Sequence, residues 1–296
     1  MLSILIPTYD YNAYPLVCEL EKQAIKTNCI YEIICFDDGS KSSINIENKN
    51  INNLKNSKFI ELRENIGLSN IRNTLAEAST YENLLFIDGD SIVSSNNYIQ
   101  NYLKVLNENY DVIYGGRIHP KKVEPNRKLR WKYGIYKEDS NVLKRIKNKY
   151  ISVIFNNTII RKSVFNKIYF NKEITQYGHE DTVFAYELSK MNASVLHIEN
   201  SVLHGDVDLN TVFYNKTKKA INNLNLIYKN KLIEPEFVKF LKLFTKLKRI
   251  KLNYLISLTY KMFHPIFTLN LTSKNPSIYV FEWFRLSYFC YINLKK

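Results

Sequence analysis

Short apolar runs alternate with segments of helical spacing along the first 114 residues of the chain. The runs are rich in Ile, Leu, Val and Phe, which is typical of strands buried on both faces of a sheet. They predict strands at residues 2–7, 32–36, 59–62, 84–87 and 112–114. Apolar residues three and four positions apart predict helices at residues 14–27, 69–78 and 98–106, with Ser69 as the N-cap of the second.

Buried strands separated by helices predict an α/β fold with a mainly parallel sheet flanked by helices. In such sheets, ligands bind beyond the carboxyl ends of the strands. Asp37 and Asp38 follow the second predicted strand, and Asp88 and Asp90 follow the fourth. We therefore expect these two pairs of carboxylates to converge at one edge of the sheet, although about fifty residues separate them.

Glycine and charge divide the chain into two regions. Seven of the eight glycines lie in or beside short polar clusters, and the last glycine is Gly205. The net charge is +14, and residues 207–296 hold 16 Lys or Arg against four Asp or Glu. We expect one domain at residues 1–206 and a helical, basic C-terminal region at residues 207–296.

The DGD sequence at residues 88–90 suits a cation site. Two carboxylates on a glycine-containing turn can hold Mg²⁺ or Mn²⁺ and leave positions open for phosphate oxygens. A plain surface turn is the alternative, but the buried strand before DGD favours the cation. DDGS at residues 37–40 has two interpretations. It is either a nucleotide contact, with one acid on the base and the other on the ribose, or an Asp-Gly turn without a ligand.

Two further polar clusters precede residue 207. Glu180 and Asp181 come directly before a predicted helix at residues 182–191, where acids also act as helix caps. As a functional pair, one of them would be a general base for a hydroxyl. His204 follows an apolar run and is either a structural histidine or a ligand that accompanies carboxylates around Mn²⁺.

Taken together in chain order, six segments resemble the family-2 glycosyltransferases, which have the GT-A fold and invert the anomeric centre. The segments are SILIPTYDYN, ICFDDGS, ENIGLSNIRN, LLFIDGD, FNNTIIRKSVF and GHEDTVFAYEL. The resemblance covers residues 1–206. It implies a hexosyltransferase that uses a nucleotide-sugar donor, with UDP as the usual nucleotide, and a divalent metal, Mn²⁺ or Mg²⁺.

The resemblance also implies roles for individual residues. The donor-binding residues that it implies are Pro7, Thr8, Tyr9, Asp37, Asp38, Arg72 and Asp88. Asp90 is the more direct metal ligand, with Asp88 and His204 beside it. Asp181 is the catalytic base, and Glu180 positions the base or the acceptor.

Asn157 and Arg161 match a segment beside the acceptor cleft. Here Phe155 and Asn156 replace the residues usual before that asparagine, and His179 stands where Trp or Gly is common. These departures bear on the acceptor, which we expect to be a glycan or a lipid-linked sugar of surface polysaccharide synthesis. The alternatives are a catalytically silent nucleotide-sugar-binding module and a sugar-1-phosphate nucleotidyltransferase, which would need a glycine-rich basic loop where PTYDYN stands.

The C-terminal region contains a predicted helix within residues 236–260 with two stripes. Its apolar stripe is Phe237, Phe240, Leu241, Phe244 and Leu247, and lysines with Arg249 form the other stripe. The apolar stripe would pack on the catalytic domain, or the helix would lie on an anionic membrane surface. The lack of a nucleic-acid-binding motif argues against a nucleic-acid partner.

The amino-terminal segment lacks a basic stretch and a cleavage site, and no 18-residue apolar run follows anywhere in the sequence. We therefore expect a cytoplasmic protein that is peripheral at the inner face of the cell membrane.

Overall fold

The computed structural model describes residues 1–174 and 176–295. Elements are numbered in chain order. The strands are β1 Leu2–Thr8, β2 Tyr31–Asp37, β3 Ser57–Glu61, β4 Asn83–Ile87, β5 Ser91–Ile92, β6 Val112–Tyr114, β7 Arg117–Ile118, β8 Asn157–Arg161, β9 Val195–His197 and β10 Val202–His204. The helices are α1 Tyr14–Lys26, α2 Asn45–Asn48, α3 Leu68–Ala78, α4 Tyr98–Val105, α5 Lys128–Tyr133, α6 Val142–Lys147, α7 Lys162–Ile168, α8 Glu180–Lys190, α9 Asn210–Lys229, α10 Lys239–Arg249, α11 Leu252–Thr272 and α12 Ile278–Leu294.

Within the described residues, the strands form a seven-stranded sheet and a three-stranded sheet. The large sheet has the order β3-β2-β1-β4-β8-β6-β9, and the small sheet has the order β5-β10-β7. Strands β3, β2, β1 and β4 are parallel, whereas β8 is antiparallel to both β4 and β6. The predicted mainly parallel α/β fold is confirmed, whereas the antiparallel strand β8 was not predicted from the sequence.

Helices cover both faces of the large sheet because its strands are apolar on both sides. In β1, Leu2, Ile4 and Ile6 pack into the cluster that contains α1 and α4. Leu5, which points the other way, packs with α3, α7 and α8. This alternation with a period of two explains why β1 reads as a continuous apolar run.

Two helix starts differ from the prediction. Helix α3 begins at Leu68 after Gly67, whose φ of +83° favours glycine, and Ser69 is buried inside the helix. Ser69 is therefore not the N-cap. Helix α8 begins at Glu180, two residues earlier than the spacing of its apolar residues indicated, so both acids of the GHED sequence lie in its first turn.

The described residues divide into two compact units. The first consists of residues 1–119, 139–174 and 180–206, and contains both sheets. The second consists of residues 120–138, 176–179 and 207–295, and is helical. The predicted helical character of the C-terminal region is confirmed, whereas the domain boundary at residue 206 stays a proposal.

In the second unit, the predicted helix of residues 236–260 is broken. Helix α10 ends at Arg249, and Lys251, with a φ of +61°, separates it from α11. Leu241 and Phe244 of the apolar stripe are buried, and the Phe244 ring contacts Phe289 of α12 at 4.7 Å between centroids. Part of this stripe is thus helix-packing surface.

Across residues 1–174 and 176–295, no helix is both long and apolar enough to span a bilayer.

Candidate active site

The ends of strands β1, β2 and β4 meet at one edge of the large sheet. The backbone NH of Asp38 donates to Thr8 O at 2.9 Å, and the NH of Gly89 donates to Pro7 O at 3.1 Å. A Cβ on Gly89 would lie 3.0 Å from the Thr8 side chain, so glycine permits this close approach. Pro7 and Thr8 therefore lie between the DDGS and DGD turns, and the two carboxylate pairs share one edge as expected.

The two acids of DDGS have different surroundings. Asp38 accepts hydrogen bonds from the backbone NH groups of Ile66 and Gly67 at 2.8 and 3.0 Å, one on each carboxylate oxygen. Burial raises the pKa of Asp38, and these two hydrogen bonds oppose the rise. Asp38 thus fixes the loop before α3, and each oxygen retains a second lone pair for a ligand.

Asp37 is fully buried and accepts from the backbone NH of Ser40 at 2.8 Å through Oδ2. Its Oδ1 has no hydrogen-bond donor among the described residues. A buried carboxylate oxygen is costly to leave without a donor, so this atom is suited to accept from a bound ligand. Tyr9, which was expected to border the base, follows β1 and is exposed.

Arg72 of α3 connects two acids that lie far apart in the sequence. Its Nη2 donates to Asp88 Oδ1 at 3.1 Å and its Nη1 donates to Asp181 Oδ1 at 2.9 Å. The side chain is buried and lies over the rings of Phe155 and Phe170, at 6.0 and 5.3 Å from their centroids. The planar guanidinium therefore fixes the separation of the two carboxylates.

The acids around Arg72 form one electrostatic cluster. Burial raises the pKa of Asp88, with Asp90 and Asp181 adding to the rise and Arg72 opposing it. Burial raises the pKa of Glu180 to about 7, with a further contribution from the Asp181 charge. Glu180 Oε2 is buried and finds no hydrogen-bond partner in the part of the chain that the structure describes. Glu180 is thus partly protonated near neutral pH, when it can donate a hydrogen bond.

Asp90 and His204 meet at the small sheet. His204 Nε2 lies 3.2 Å from Asp90 Oδ2, because β10 pairs with β5 in the register His204 to Ser91. The NH of Gly205 donates to Asp90 O at 2.9 Å, and a Cβ on Gly205 would lie 2.6 Å from that oxygen. Gly205 therefore permits the close backbone approach that pairs Asp90 with His204.

This pair fits a small divalent cation. Ligand atoms at adjacent corners of an octahedron around Mg²⁺ lie about 3.0 Å apart, close to the separation of His204 Nε2 and Asp90 Oδ2. Within the described ranges, no group of three or more His, Cys, Asp or Glu side chains could hold a metal by itself. Asp90 and His204 would supply two ligands and leave the remaining positions to ligand oxygens, while Asp88 is engaged by Arg72.

Asn157 and Arg161 are the two ends of β8, and only Asn157 lies at the DGD end of β4. The Asn157 side chain is fully buried, accepts from the hydroxyls of Tyr98 and Tyr102 at 2.6 Å each, and donates to two backbone carbonyls. Arg161 pairs in register with Asn83, at the opposite end of β4 from DGD. The geometry thus gives Asn157 a structural role and places Arg161 at the far edge of the sheet.

Three residues near the Asp90–His204 pair were not identified from the sequence, namely Tyr11, His119 and Asp139. Asp90 and Asp206 add to the effect of burial in raising the pKa of the Tyr11 hydroxyl, so Tyr11 lies within their field. His119 packs against His204 at 5.2 Å between ring centroids, and its Nδ1 is 2.6 Å from Asp139 Oδ1. Nothing local in the sequence marks His119, because the pairing of β7 with β10 brings it here.

Comparison with known proteins gives the family. The family described as Glycosyl transferase family 2 matches residues 3–169, more than half of the chain. The chain belongs to this family. The resemblance that the motifs indicated and the enzyme class, glycosyltransferase, are thereby confirmed.

One curated relative is longer than the present chain. A chondroitin synthase from Escherichia coli is 24% identical over an alignment of 241 residues that covers 69% of this chain and 34% of that protein. The chain therefore spans about a third of the length of this curated relative.

A solved mannosyltransferase shares the architecture. A mannosyltransferase from Pyrobaculum calidifontis, in complex with GDP-Man and Mn²⁺, has a TM-score of 0.53 at 13% identity, over 77% of this chain and 64% of that one. S. aureus TarS in complex with UDP-GlcNAc has a TM-score of 0.49 at 20% identity, over 75% and 66% of the two chains. The likeness to the mannosyltransferase bears on the fold alone, and the GT-A assignment stands.

Proposed function

We propose that this glycosyltransferase is a metal-dependent, inverting enzyme that moves a sugar from a nucleotide-diphosphate sugar to an acceptor hydroxyl. UDP is the nucleotide, and the acceptor is a glycan or glycolipid of surface polysaccharide synthesis. The observation that carries the proposal is the bridge from Asp88 through Arg72 to Asp181, beside the Asp90–His204 pair. This bridge joins a candidate donor site to a candidate base.

The donor would lie along the edge formed by Pro7, Thr8, Asp37 and the DGD turn. The unpartnered Oδ1 of Asp37 is suited to accept from an NH group of the base or from a ribose hydroxyl. A divalent cation, Mn²⁺ or Mg²⁺, held by Asp90 and His204 would neutralise the diphosphate of the leaving nucleotide. The GDP-Man and Mn²⁺ bound to the structurally similar mannosyltransferase are consistent with such a donor and metal.

Asp181 would be the base that accepts the proton of the acceptor hydroxyl. Its Oδ1 is held by Arg72 and also faces the backbone NH of Phe155 at 3.4 Å. The hydrogen bond from Arg72 orients the carboxylate, which leaves Oδ2 to face the acceptor. Glu180, on the same first turn of α8, would hold the acceptor by a hydrogen bond. Attack from the side opposite the diphosphate inverts the anomeric centre.

The first test separates catalysis from binding. We expect the Asp181→Asn variant to lose sugar transfer by at least about a hundredfold, the lower range for general-base catalysis. The same variant should still show metal-dependent thermal stabilisation by the nucleotide sugar. The Asp90→Ala variant is the matched control, since it should lose that stabilisation. Turnover retained in Asp181→Asn would exclude this residue as the base.

The second test identifies the donor and the class of activity. UDP-, GDP- and dTDP-linked sugars are compared for thermal stabilisation of the parent protein with Mn²⁺ and with a chelator. We expect UDP-sugars to stabilise most, and metal-dependent release of UDP to accompany binding. Stabilisation without transfer or donor hydrolysis, on any donor, would indicate a silent binding module instead.

A further inference from the structure

Helix α11 has an apolar face that is turned to solvent. Asn253, Ile256, Tyr260 and Phe267 of this helix are buried within the helical unit. On the opposite side are six large apolar residues with exposed fractions between 48 and 72%, namely Tyr254, Leu255, Leu258, Met262, Ile266 and Leu269. We call these six residues the α11 outer face. Their spacing of one to four residues places them on one stripe of a helix that is about 30 Å long.

Such a face is unusual on a protein surface. Single exposed apolar residues are common, but a continuous stripe of this size on one helix marks an interaction site. Lys261 is the only charged residue within α11, and it lies at the edge of the stripe. The α11 outer face is therefore suited to a partner that is itself apolar.

The charges around this face indicate the chemistry of the partner. No Asp or Glu occurs between Glu236 and Glu282, a stretch that contains eight Lys or Arg. All eight are exposed: Lys239, Lys242, Lys246, Lys248, Arg249, Lys251, Lys261 and Lys274. Four of them come directly before α11, at the end of α10 and at Lys251. The partner thus has to combine an apolar interior with a negatively charged border.

We propose that the α11 outer face docks the protein on an anionic lipid bilayer, with α11 lying in the plane of the interface. Interfacial helices bury an apolar face by about 5–10 Å and hold basic residues against lipid phosphates. The proposal deepens the proposed function. It rests on that function in one respect, which is that a glycolipid acceptor would lie in the same bilayer. The membrane contact is thereby assigned to α11 instead of the partly buried stripe of α10.

A second copy of the chain is a less suitable occupant. Two α11 outer faces packed together would bring two acid-free basic stretches side by side, and their repulsion is not compensated by any acid in residues 237–281. An anionic bilayer supplies the opposite charge together with the apolar phase. Charge complementarity therefore decides between these two occupants.

Vesicle flotation tests the proposal with the full chain. We expect the parent protein to float with vesicles of phosphatidylcholine and phosphatidylglycerol at low salt, and not with phosphatidylcholine alone. The triple variant Leu255→Gln, Met262→Gln, Ile266→Gln should lower the partition constant by at least about tenfold. The matched control is Ile46→Gln with Leu143→Gln, which changes residues of similar exposure outside this helix and should float like the parent. A second triple variant, Lys246→Gln, Lys248→Gln, Arg249→Gln, should weaken flotation through charge alone.

The outcomes that overturn the proposal are specific. They are a parent protein that stays unbound on anionic vesicles at low salt, and an α11 triple variant that floats like the parent. A parent dimer that the α11 triple variant converts to monomer, seen by light scattering, would assign the face to self-association instead. Asp181→Asn should float normally, so loss of flotation and loss of transfer are separate results.

Discussion

At the scale of single residues, Arg72 determines how the candidate site is held together. Its guanidinium is buried and donates to Asp88 and Asp181 through different nitrogens. Removing a buried cation would leave two carboxylates facing each other without compensation, which costs more than the loss of either hydrogen bond. The arginine is thus both a stabilising residue and a positioning residue for the proposed base.

We expect Arg72→Lys to fold but to lose activity. Lysine keeps the charge, but its single ammonium group cannot span two carboxylates as the guanidinium does. Loss of one hydrogen bond to a charged group corresponds to about 1.5–3 kcal/mol, or roughly 10- to 150-fold in kcat/KM. Steady-state kinetics and urea unfolding of the same variant would measure the two effects. Unchanged kcat/KM would show that the bridge does not position Asp181.

Glu180 gives a prediction for the pH dependence of stability. Its pKa is about 7 in the folded protein against 4.5 in the unfolded chain. Between these values the folded state binds more protons, so the free energy of unfolding falls as pH rises. We expect the parent to lose about 2–3 kcal/mol relative to Glu180→Gln between pH 4.5 and 7, and about 0.4 kcal/mol more as pH rises above 7. If the difference in free energy of unfolding between the two proteins stayed constant from pH 4.5 to 7, the raised pKa of Glu180 would be contradicted.

At the scale of secondary-structure elements, the site depends on where strands end. Strands β1, β2 and β4 end at one edge, and the small sheet adds Asp90 and His204 there. Strand β8 has the opposite direction, so Asn157 is near this edge while Arg161 is near the other. The sequence motif groups these two residues together, and the direction of β8 decides which of them lies near DGD.

The small sheet can be tested at Gly205. In the Gly205→Ala variant, the new Cβ would meet Asp90 O at 2.6 Å and the side chain of Ile92 at 3.0 Å. We expect His204 and Asp90 to move apart, with loss of metal-dependent stabilisation by the nucleotide sugar. Thermal unfolding with and without Mn²⁺ measures this effect. As a control, Arg161→Ala should keep that stabilisation, because Arg161 lies at the other edge.

At the scale of the whole molecule, the charged region of the sequence and the helical unit of the structure do not coincide. The basic residues are concentrated after residue 206, but the helical unit also includes residues 120–138. Within that unit, the NH of Leu129 donates to Asn210 Oδ1 at 2.8 Å, and Arg130 lies over the Phe213 ring. Residues of the middle of the chain thus depend on residues of the basic region.

Truncation after Asp206 tests the proposed domain boundary. We expect the fragment 1–206 to be less stable and less soluble than the full chain, since residues 120–138 would lose their partners on α9. Thermal unfolding and sedimentation of the two proteins give the comparison. A fragment as stable as the full chain would show that residues 1–206 are a self-sufficient domain.

The positions of some site residues could be predicted from the sequence, and those of others could not. The strand-end positions of Asp37, Asp38, Asp88 and Asp90 follow from apolar runs that stop at acids, and these positions are as expected. The bridge made by Arg72 could not be predicted, because it joins residues 109 positions apart in the sequence. Ser69 is not the N-cap that the spacing of apolar residues predicts, because that spacing does not reveal the positive φ of Gly67.

The sequence by itself determined the period of each element, the acids at strand ends and the excess of positive charge, because these depend on local order along the chain. Tertiary structure alone decided the direction of β8, the bridge from Asp88 through Arg72 to Asp181 and the exposure of the α11 outer face. Each of these depends on which distant segments pack together, and packing free energy is shared among many residues rather than encoded at any one position.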